Sequence, residues 1–341
     1  MQSAVVTRMA LHRSLLALLV ASLASLIACA APSDGSDDGE EVDNQEAHWD
    51  AQSVTNESES THLWIVDRGI DILAHHGDSD PVAARAWGLM TNATCRAQWQ
   101  QGLYDADFKA AYNNGRSDLP PNPSDVQVGL AGATWASHFY DPDTGKNYKG
   151  ETSPTAYSEA SAHLSLAKEN HLSDGKAKGC YELGLALHYF TDLTQPMHAA
   201  NFTAVNRPAK LHSNLEGYSM ELQERYPLED WSGPPSGTTR DFLVKTAKDS
   251  KPLFMEGVEA IVAAYKSYTG WRILQCRNID AAAWRFVERQ HVDYRDCWEG
   301  NAGVDAVIGK TLRFAQERTA QYIYLVAKEI GGDAPTTSGS P

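Results

Sequence analysis

After residue 48, apolar residues recur every three or four positions along most of the chain, which is the spacing of one buried helix face. Residues 60–77 show this best, with Leu63, Val66 and Ile70 on one face behind a Ser-Thr capping signal. The other segments with this pattern are residues 154–170, 175–192, 240–268 and 305–332. No convincing pair of alternating strands accompanies them. The sequence therefore predicts an all-α fold, with no C-terminal β-sandwich.

Proline, glycine and polar residues divide this helical pattern. Pro252 predicts a break within the segment 240–268, because proline removes a backbone donor. Residues 113–134 are rich in Pro, Gly, Asn and Asp and predict a long surface loop. Residues 332–341 predict a disordered tail, which leaves a single large multi-helix domain over residues 49–331.

The first 29 residues have the pattern of a signal peptide. Arg8 and Arg13 precede an uncharged apolar run, residues 15–28, which is too short for a comfortable membrane span. The run ends in LIAC, which resembles a bacterial lipoprotein signal with Cys29 as the lipidated residue; an ordinary cleavage site is the alternative. Residues 30–48 contain seven acidic residues and few apolar ones, so they predict a solvated linker or a pro-segment.

Charge and cysteine content constrain the partners and the compartment. The chain has 44 Asp and Glu against 29 Lys and Arg, so it gains no counterion-release attraction to nucleic acid. Export favours disulfide bonds, and the four cysteines beyond the signal allow three pairings. We favour the pairs Cys276–Cys297 and Cys95–Cys180, because Cys276 and Cys297 lie close in sequence. The sequence alone does not decide between the three pairings. None has the paired spacing of a structural zinc site.

A short stretch after residue 187 concentrates potential ligands. His188 and Asp192 are four residues apart on a predicted helix, so they project from the same face one turn apart. Pro196 ends or kinks that helix, and His198 follows the break. An isolated His/Asp pair of this kind is usually a solvated or hydrogen-bonded pair, so the stretch alone does not establish a metal site.

Further residues extend this pattern. His212 and Glu216 repeat the four-residue spacing, and upstream candidates are His62, Asp107 and His138. Imidazole and carboxylate are ligands that zinc accepts, and their number suits two or three ions rather than one. The histidines without partner spacing, which we predict to be structural, are His75, His76, His163, His171 and His291.

The spacing H-x3-D-x5-H-x13-H-x3-E, from His188 to Glu216, resembles that of the bacterial zinc-dependent phospholipases C. The family includes phosphatidylcholine-preferring and alpha-toxin types, and the stretches HLWIVDRGIDI and SHFYDPDTGKNY also resemble it. Family members begin with a tryptophan that binds zinc through its main chain, and Trp49 has the matching Trp-x12-His spacing to His62. The resemblance implies the all-α fold shared with single-strand nucleases and a cut before Trp49.

The resemblance implies three zinc ions. The first would bind Asp107, His138, His188 and Asp192; the second His198, His212 and Glu216; and the third Trp49, His62 and the bridging Asp192. The implied activity is hydrolysis of phospholipid by a metal-activated water, with phospholipid membrane surfaces as the substrate. Asp107 is then the candidate to orient or deprotonate that water.

The head-group positions depart from the phosphatidylcholine-preferring pattern. Gln52 stands where that pattern has glutamate, Phe108 where it has tyrosine, and Trp135 where it has phenylalanine. Aromatic rings still attract a quaternary ammonium, but the ion pair from glutamate is lost. We therefore expect weakened or shifted choline selectivity, unless Phe108 and Trp135 are simply core residues.

Two other functions compete with this interpretation. One is a zinc-dependent single-strand nuclease of the same superfamily, and the other is a zinc-binding helical protein without catalysis. The Trp-x12-His spacing and Glu216 favour the phospholipase over the nuclease. We expect a secreted monomer with no protein partner. If a lipid on Cys29 anchors the protein, it does so only before the chain is cut.

Overall fold

The computed structural model describes residues 53–107, 135–203, 206, 208, 210–271, 276 and 293–332. All of these belong to one unit, Glu46–Pro341. The segments predicted as signal, acidic linker and surface loop lie outside the described residues, and so does the tail beyond residue 332.

The described part of the chain is helical, as the sequence predicts. In chain order the α-helices are α1 Thr61–His76, α2 Pro81–Thr91, α3 Ala93–Asp105, α4 Ala156–Glu169, α5 Ala177–Thr194, α6 Pro196–Ala199, α7 Leu211–Leu222, α8 Thr239–Ser267 and α9 Ala302–Gly332. Short 3₁₀ helices cover Glu57–Glu59, Trp135–His138, Leu172–Asp174, Gln223–Arg225 and Arg295–Cys297. An isolated β-bridge joins Asp141 and Lys146.

Side-chain caps fix where several helices begin. The Ser60 hydroxyl accepts a hydrogen bond from the Leu63 amide at the start of α1, as the Ser-Thr signal predicts. Asp80 and Asn92 cap α2 and α3 in the same way. Neither α2 nor α3 was predicted as a helix.

Helix α5 lies at the centre of the fold. It packs against α3 and α4, and every residue from Gly179 to Thr194 is buried except Tyr181, which is half-buried. Phe190 stacks on Tyr322 of α9 with ring centroids 4.1 Å apart. Any polar group in the buried stretch from Glu182 onward is therefore removed from water and needs a partner inside the protein.

The contact between α3 and α5 brings two backbones together. A Cβ atom at Gly184 would collide with the Trp99 carbonyl oxygen, and one at Gly102 would collide with the Tyr181 carbonyl oxygen. A disulfide between Cys95 and Cys180 joins the same two helices, and Cys276 pairs with Cys297, so the favoured disulfide pairing is confirmed.

The predicted break at Pro252 is wrong. Helix α8 continues through Pro252, although a proline inside a helix costs about 3 kcal/mol. Ser250 and Leu253 on either side are buried, and the Ser250 hydroxyl donates to the Thr194 carbonyl oxygen at 2.8 Å. These contacts offset the hydrogen bond that the proline removes.

The C-terminal helix ends at the last residue of the predicted segment 305–332 and begins three residues before that segment. Helix α9 covers Ala302–Gly332, so residue 332, where we placed the start of the tail, still belongs to the helix. Among the helices that the structure describes, none is both long and apolar enough to cross a membrane.

Replacing Gly184 with alanine should destabilise the protein. The added methyl group has no space beside the Trp99 carbonyl, so Gly184→Ala should lower the free energy of unfolding by about 3 kcal/mol. Gly88→Ala in α2 is the control, because nothing lies within 4 Å of its added methyl group; it should raise the free energy of unfolding by about 0.5–1 kcal/mol. Urea unfolding measures the free energy of unfolding of both variants. If the two substitutions changed it equally, the close approach of α3 and α5 at Gly184 would be contradicted.

Candidate metal centre

Eight of the predicted ligands come from six different places in the fold and meet in its interior. His62 lies on α1, Asp107 just after α3, His138 at the end of a 3₁₀ helix, His188 and Asp192 on α5, His198 on α6, and His212 and Glu216 on α7. None of them is more than 8% exposed. Burial of so many ionisable groups is costly unless they compensate one another or bind an ion.

Helix α5 and the break after it position three of these ligands. His188 and Asp192 project from one face of α5 and are completely buried. The helix ends at Thr194, and Pro196 starts the new helix α6, which carries His198. The Tyr140 amide donates to the His198 carbonyl oxygen at 3.2 Å, which holds α6 against the chain after residue 138.

The Asp192 carboxylate is the meeting point of four imidazoles. Its Oδ2 lies 2.9 Å from His138 Nδ1 and 3.5 Å from His188 Nε2. Its Oδ1 lies 2.9 Å from His198 Nδ1 and 3.8 Å from His62 Nε2. A carboxylate in this position is suited to bridging ions on its two sides.

Asp107 and Glu216 extend the centre on either side of Asp192. Asp107 Oδ1 lies 3.3 Å from His188 Nε2 and 3.8 Å from His138 Nδ1. Glu216 Oε1 lies 2.8 Å from His212 Nε2, one turn away on α7.

Three groups of ligand atoms are close enough to hold an ion. Within each group the atoms lie within 4.8 Å of one another, and the groups are Asp107/His138/His188, His198/His212/Glu216 and His62/His188/Asp192. They overlap the predicted partition but differ from it: Asp192 is grouped only with His62 and His188, and Trp49 lies outside the described residues. His188, assigned by the resemblance only to the first ion, also belongs with His62 and Asp192.

Hydrogen bonds on the outer side of the rings fix which nitrogen faces the centre. His188 Nδ1 lies 2.9 Å from the Leu103 carbonyl oxygen, and His212 Nδ1 lies 2.7 Å from the Phe202 carbonyl oxygen. Because a carbonyl only accepts, each Nδ1 carries a proton, and each Nε2 is the nitrogen that faces the centre. Histidines that bind metal usually have such an outer partner.

The inner atoms are poorly satisfied by the protein alone. Asp192 Oδ1 and His198 Nδ1 are buried and lie 2.9 Å apart without the geometry of a hydrogen bond, and Glu216 Oε2 is buried with no hydrogen-bond partner among the described residues. His188 Nε2 and His138 Nδ1 lie 3.2 Å apart with carboxylates on both sides. Imidazole nitrogens and carboxylate oxygens that converge in this way offer a binding site for a cation, and this set of ligand atoms suits zinc. The residues present therefore fit a metal cluster.

The local electrostatics keep the carboxylates charged. Burial alone would raise the pKa of Asp192, but His138, His188 and His198 hold it well below its usual range. Burial also opposes ionisation of Glu216, yet the neighbouring histidines lower its pKa to about 2. Both groups are ionised at neutral pH, which is the form that binds a metal.

Comparison with known proteins gives a consistent family. A phospholipase C of Bacillus cereus is 30% identical over 283 residues, which are 81% of this chain and 84% of that protein. A phospholipase C of Listeria monocytogenes is 31% identical over 232 residues, 64% of this chain and 71% of that protein. The chain belongs to the bacterial phospholipase C family.

The fold is similar to that of a solved structure. The alpha toxin of Clostridium absonum matches with a TM-score of 0.54 at 21% identity, covering 81% of this chain. The match spans 65% of the toxin chain, so it bears on the helical fold alone. No family model matches the chain.

The remaining predicted site residues of this phospholipase C family member are Trp49 and the three head-group positions. Trp135 is half-buried, with its ring centroid 5.5 Å from that of His138, so it lies beside the centre. Trp49, Gln52 and Phe108 lie outside the described residues.

Most of the histidines that we predict to be structural form their hydrogen bonds away from the metal centre. His163 Nδ1 lies 2.8 Å from Glu182 Oε2, and His76 Nε2 lies 2.7 Å from Asp230 Oδ1. His75 and His171 are likewise outside the three groups, and His291 is not among the described residues.

Sequence reasoning missed the outer partners of the ligands. Thr191 Oγ1 lies 2.5 Å from His62 Nδ1 and donates to the His188 carbonyl oxygen, so it accepts a hydrogen bond from His62 Nδ1. Leu103 and Phe202 act through backbone carbonyls, which no residue pattern reveals. Only Thr191 offered a signal, as a polar residue next to Asp192 in the buried part of α5.

Proposed function

We propose that this protein is a zinc-dependent phospholipase C that hydrolyses phospholipids to diacylglycerol and a phosphorylated head group. The observation that carries the proposal is the convergence of four imidazoles on the buried Asp192 carboxylate, in a chain of the phospholipase C family. An anionic phosphodiester needs positive charge at its oxygens during hydrolysis, and a metal centre supplies it.

The chain would hold three zinc ions in the arrangement that the family resemblance implies. Asp107, His138, His188 and Asp192 would hold one; His198, His212 and Glu216 the second; and Trp49, His62 and Asp192 the third, with His188 near enough to contribute. Zinc bound there supplies Lewis-acid stabilisation of the phosphate and lowers the pKa of a bound water.

Asp107 is the residue that we assign to the attacking water. It is 5% exposed and lies at the edge of the cluster next to His138 and His188. Its carboxylate orients the water and receives one of its protons as oxygen attacks phosphorus. The bond between phosphorus and the diacylglycerol oxygen breaks, and the leaving alkoxide takes a proton from water.

Head-group recognition involves the positions that depart from the phosphatidylcholine-preferring pattern. Trp135 beside His138 supplies an aromatic face, and we place Phe108 and Gln52 with it. Without a glutamate, a quaternary ammonium is held by the rings alone, so choline and ethanolamine lipids should be discriminated weakly.

Purified, zinc-loaded protein beginning at Trp49 should hydrolyse phosphatidylcholine vesicles. Elemental analysis should find close to three zinc ions per chain, and a chelator should abolish turnover until zinc is restored. Phosphatidylethanolamine and sphingomyelin vesicles test the head group, and single-stranded DNA tests the nuclease alternative. Cleavage of DNA without lipid hydrolysis would replace the proposal with the nuclease, and no turnover on any substrate would favour a non-catalytic zinc protein.

Replacing Asp107 with asparagine should abolish most turnover while the fold survives. Asn cannot accept the proton of the attacking water, so kcat should fall about 10³-fold. Asp105→Asn is the matched control, since it removes one charge at the end of α3, where Asp105 accepts bonds from Gln101 and Tyr181. Vesicle hydrolysis and circular dichroism measure the two effects, and activity in Asp107→Asn would remove Asp107 from its assigned role.

We also propose that the active protein is exported and cut before Trp49. A free amino terminus at Trp49 is what the third ion requires, and the acidic residues 30–48 would act as a pro-segment. If Cys29 is lipidated, the lipid anchor is lost when the segment before Trp49 is cleaved off. N-terminal sequencing of the active, exported protein should begin at Trp49, and a different start would refute this part of the proposal.

A further inference from the structure

Gln195 is a buried glutamine that joins two ligands of the metal centre. It lies between α5 and α6 and is 1% exposed. Its Nε2 donates to Glu216 Oε1 at 2.9 Å. Its Oε1 accepts from the backbone amides of Met197 at 2.5 Å and His198 at 3.1 Å. One side chain thus contacts a ligand carboxylate and the backbone of a ligand histidine.

The amide of Gln195 can take only one orientation. Backbone N–H groups donate, so the atom that faces Met197 and His198 must be the oxygen. The NH₂ group then faces Glu216, whose ionised carboxylate only accepts. Each end of the amide therefore meets the one kind of partner that it can bond.

The hydrogen bond from Gln195 uses one carboxylate oxygen of Glu216 and leaves the other for an ion. Oε1 receives the Gln195 donor and lies 2.8 Å from His212 Nε2, whereas Oε2 is buried with no hydrogen-bond partner in the described part of the chain. At the same time the Gln195 oxygen caps α6, a helix of four residues that could not hold its shape by its own hydrogen bonds.

We infer that Gln195 is a positioning residue for the ion held by His198, His212 and Glu216. It sets the rotation of the Glu216 carboxylate and the start of the short helix that presents His198. The inference rests on the proposed function only for the identity of the ion, which is zinc. It concerns the geometry of the ligands, and the affinity of the protein for the metal tests it. Loss of an outer partner of a metal ligand typically lowers metal affinity about 10–100-fold.

A merely structural glutamine would behave differently, and the chain contains one. Gln316 is 0% exposed, and its Oε1 accepts from the Leu228 amide at 2.7 Å. Its Nε2 donates to the carbonyl oxygens of Tyr226 and Leu312. Gln316 therefore matches Gln195 in burial and in bonding at both ends, but it bonds none of the predicted ligands.

Gln195→Asn separates the two roles of the side chain. Asparagine is a good helix cap, so it can still accept from the amides at the start of α6. It is one carbon shorter, so its NH₂ group does not reach Glu216 while the cap is made. The variant should retain the thermal stability of the metal-free protein and lose affinity for one zinc ion about 10–100-fold.

The experiment titrates zinc into chelator-treated protein against a chromophoric competitor. The proteins are wild type, Gln195→Asn, Gln195→Met and Gln316→Met, each beginning at Trp49 and checked by circular dichroism and thermal unfolding. We expect both Gln195 variants to weaken the binding of one ion and to reduce kcat on phosphatidylcholine vesicles. Gln316→Met should lower the unfolding temperature while binding zinc as wild type does.

Wild-type zinc affinity for all ions in the Gln195 variants would overturn the inference. Equal weakening of zinc binding in Gln316→Met would also overturn it, because the effect would then be loss of stability alone. If Gln195→Met does not fold, Gln195→Asn decides the matter by itself. A wild-type protein that binds zinc but hydrolyses no lipid refutes the proposed function, while the affinity data still decide the role of Gln195.

Discussion

The buried Asp192 carboxylate is the constraint around which the rest of the structure is arranged. Moving an ionised carboxylate into the interior costs several kcal/mol even after relaxation, and a single imidazole partner rarely offsets that cost. Here four imidazoles from four separate elements surround one carboxylate that is 0% exposed. Such an arrangement is unfavourable as a purely structural device, and it becomes favourable when cations lie between the lone pairs.

The same constraint links the helix packing to the chemistry. Helix α5 can carry Asp192 into the interior because glycines at 102 and 184 let the backbones of α3 and α5 approach closely. That approach also places the Leu103 carbonyl oxygen 2.9 Å from His188 Nδ1 and brings Asp107 next to His188 Nε2. Substitutions that separate the two helices would therefore disturb the metal centre as well as the core, since both depend on one contact.

Sequence patterns predicted the parts of the centre that are local in the chain. The four-residue spacings of His188 with Asp192 and of His212 with Glu216 reflect neighbours on one helix turn, and the structure has them on such turns. The sharing of His188 between two groups, and the contact of Thr191 with His62, join elements far apart in sequence. Periodicity carries no information about such contacts, and backbone acceptors have no residue signature. The continuity of α8 through Pro252 was missed for the same reason, because tertiary packing decides it.

The break at Pro196 explains how one short stretch can serve both sides of Asp192. In a continuous α-helix, residues six apart are rotated by about 240° around the axis, so His198 would point away from Asp192. Ending α5 at Thr194 and starting α6 at Pro196 instead brings His198 Nδ1 to within 2.9 Å of Asp192 Oδ1, while His188 stays on the Oδ2 side. A proline that only ended the helix would leave the position of His198 undetermined. The stretch therefore needs a second device that fixes where α6 begins, and the side chain immediately before the proline, Gln195, is placed to provide it.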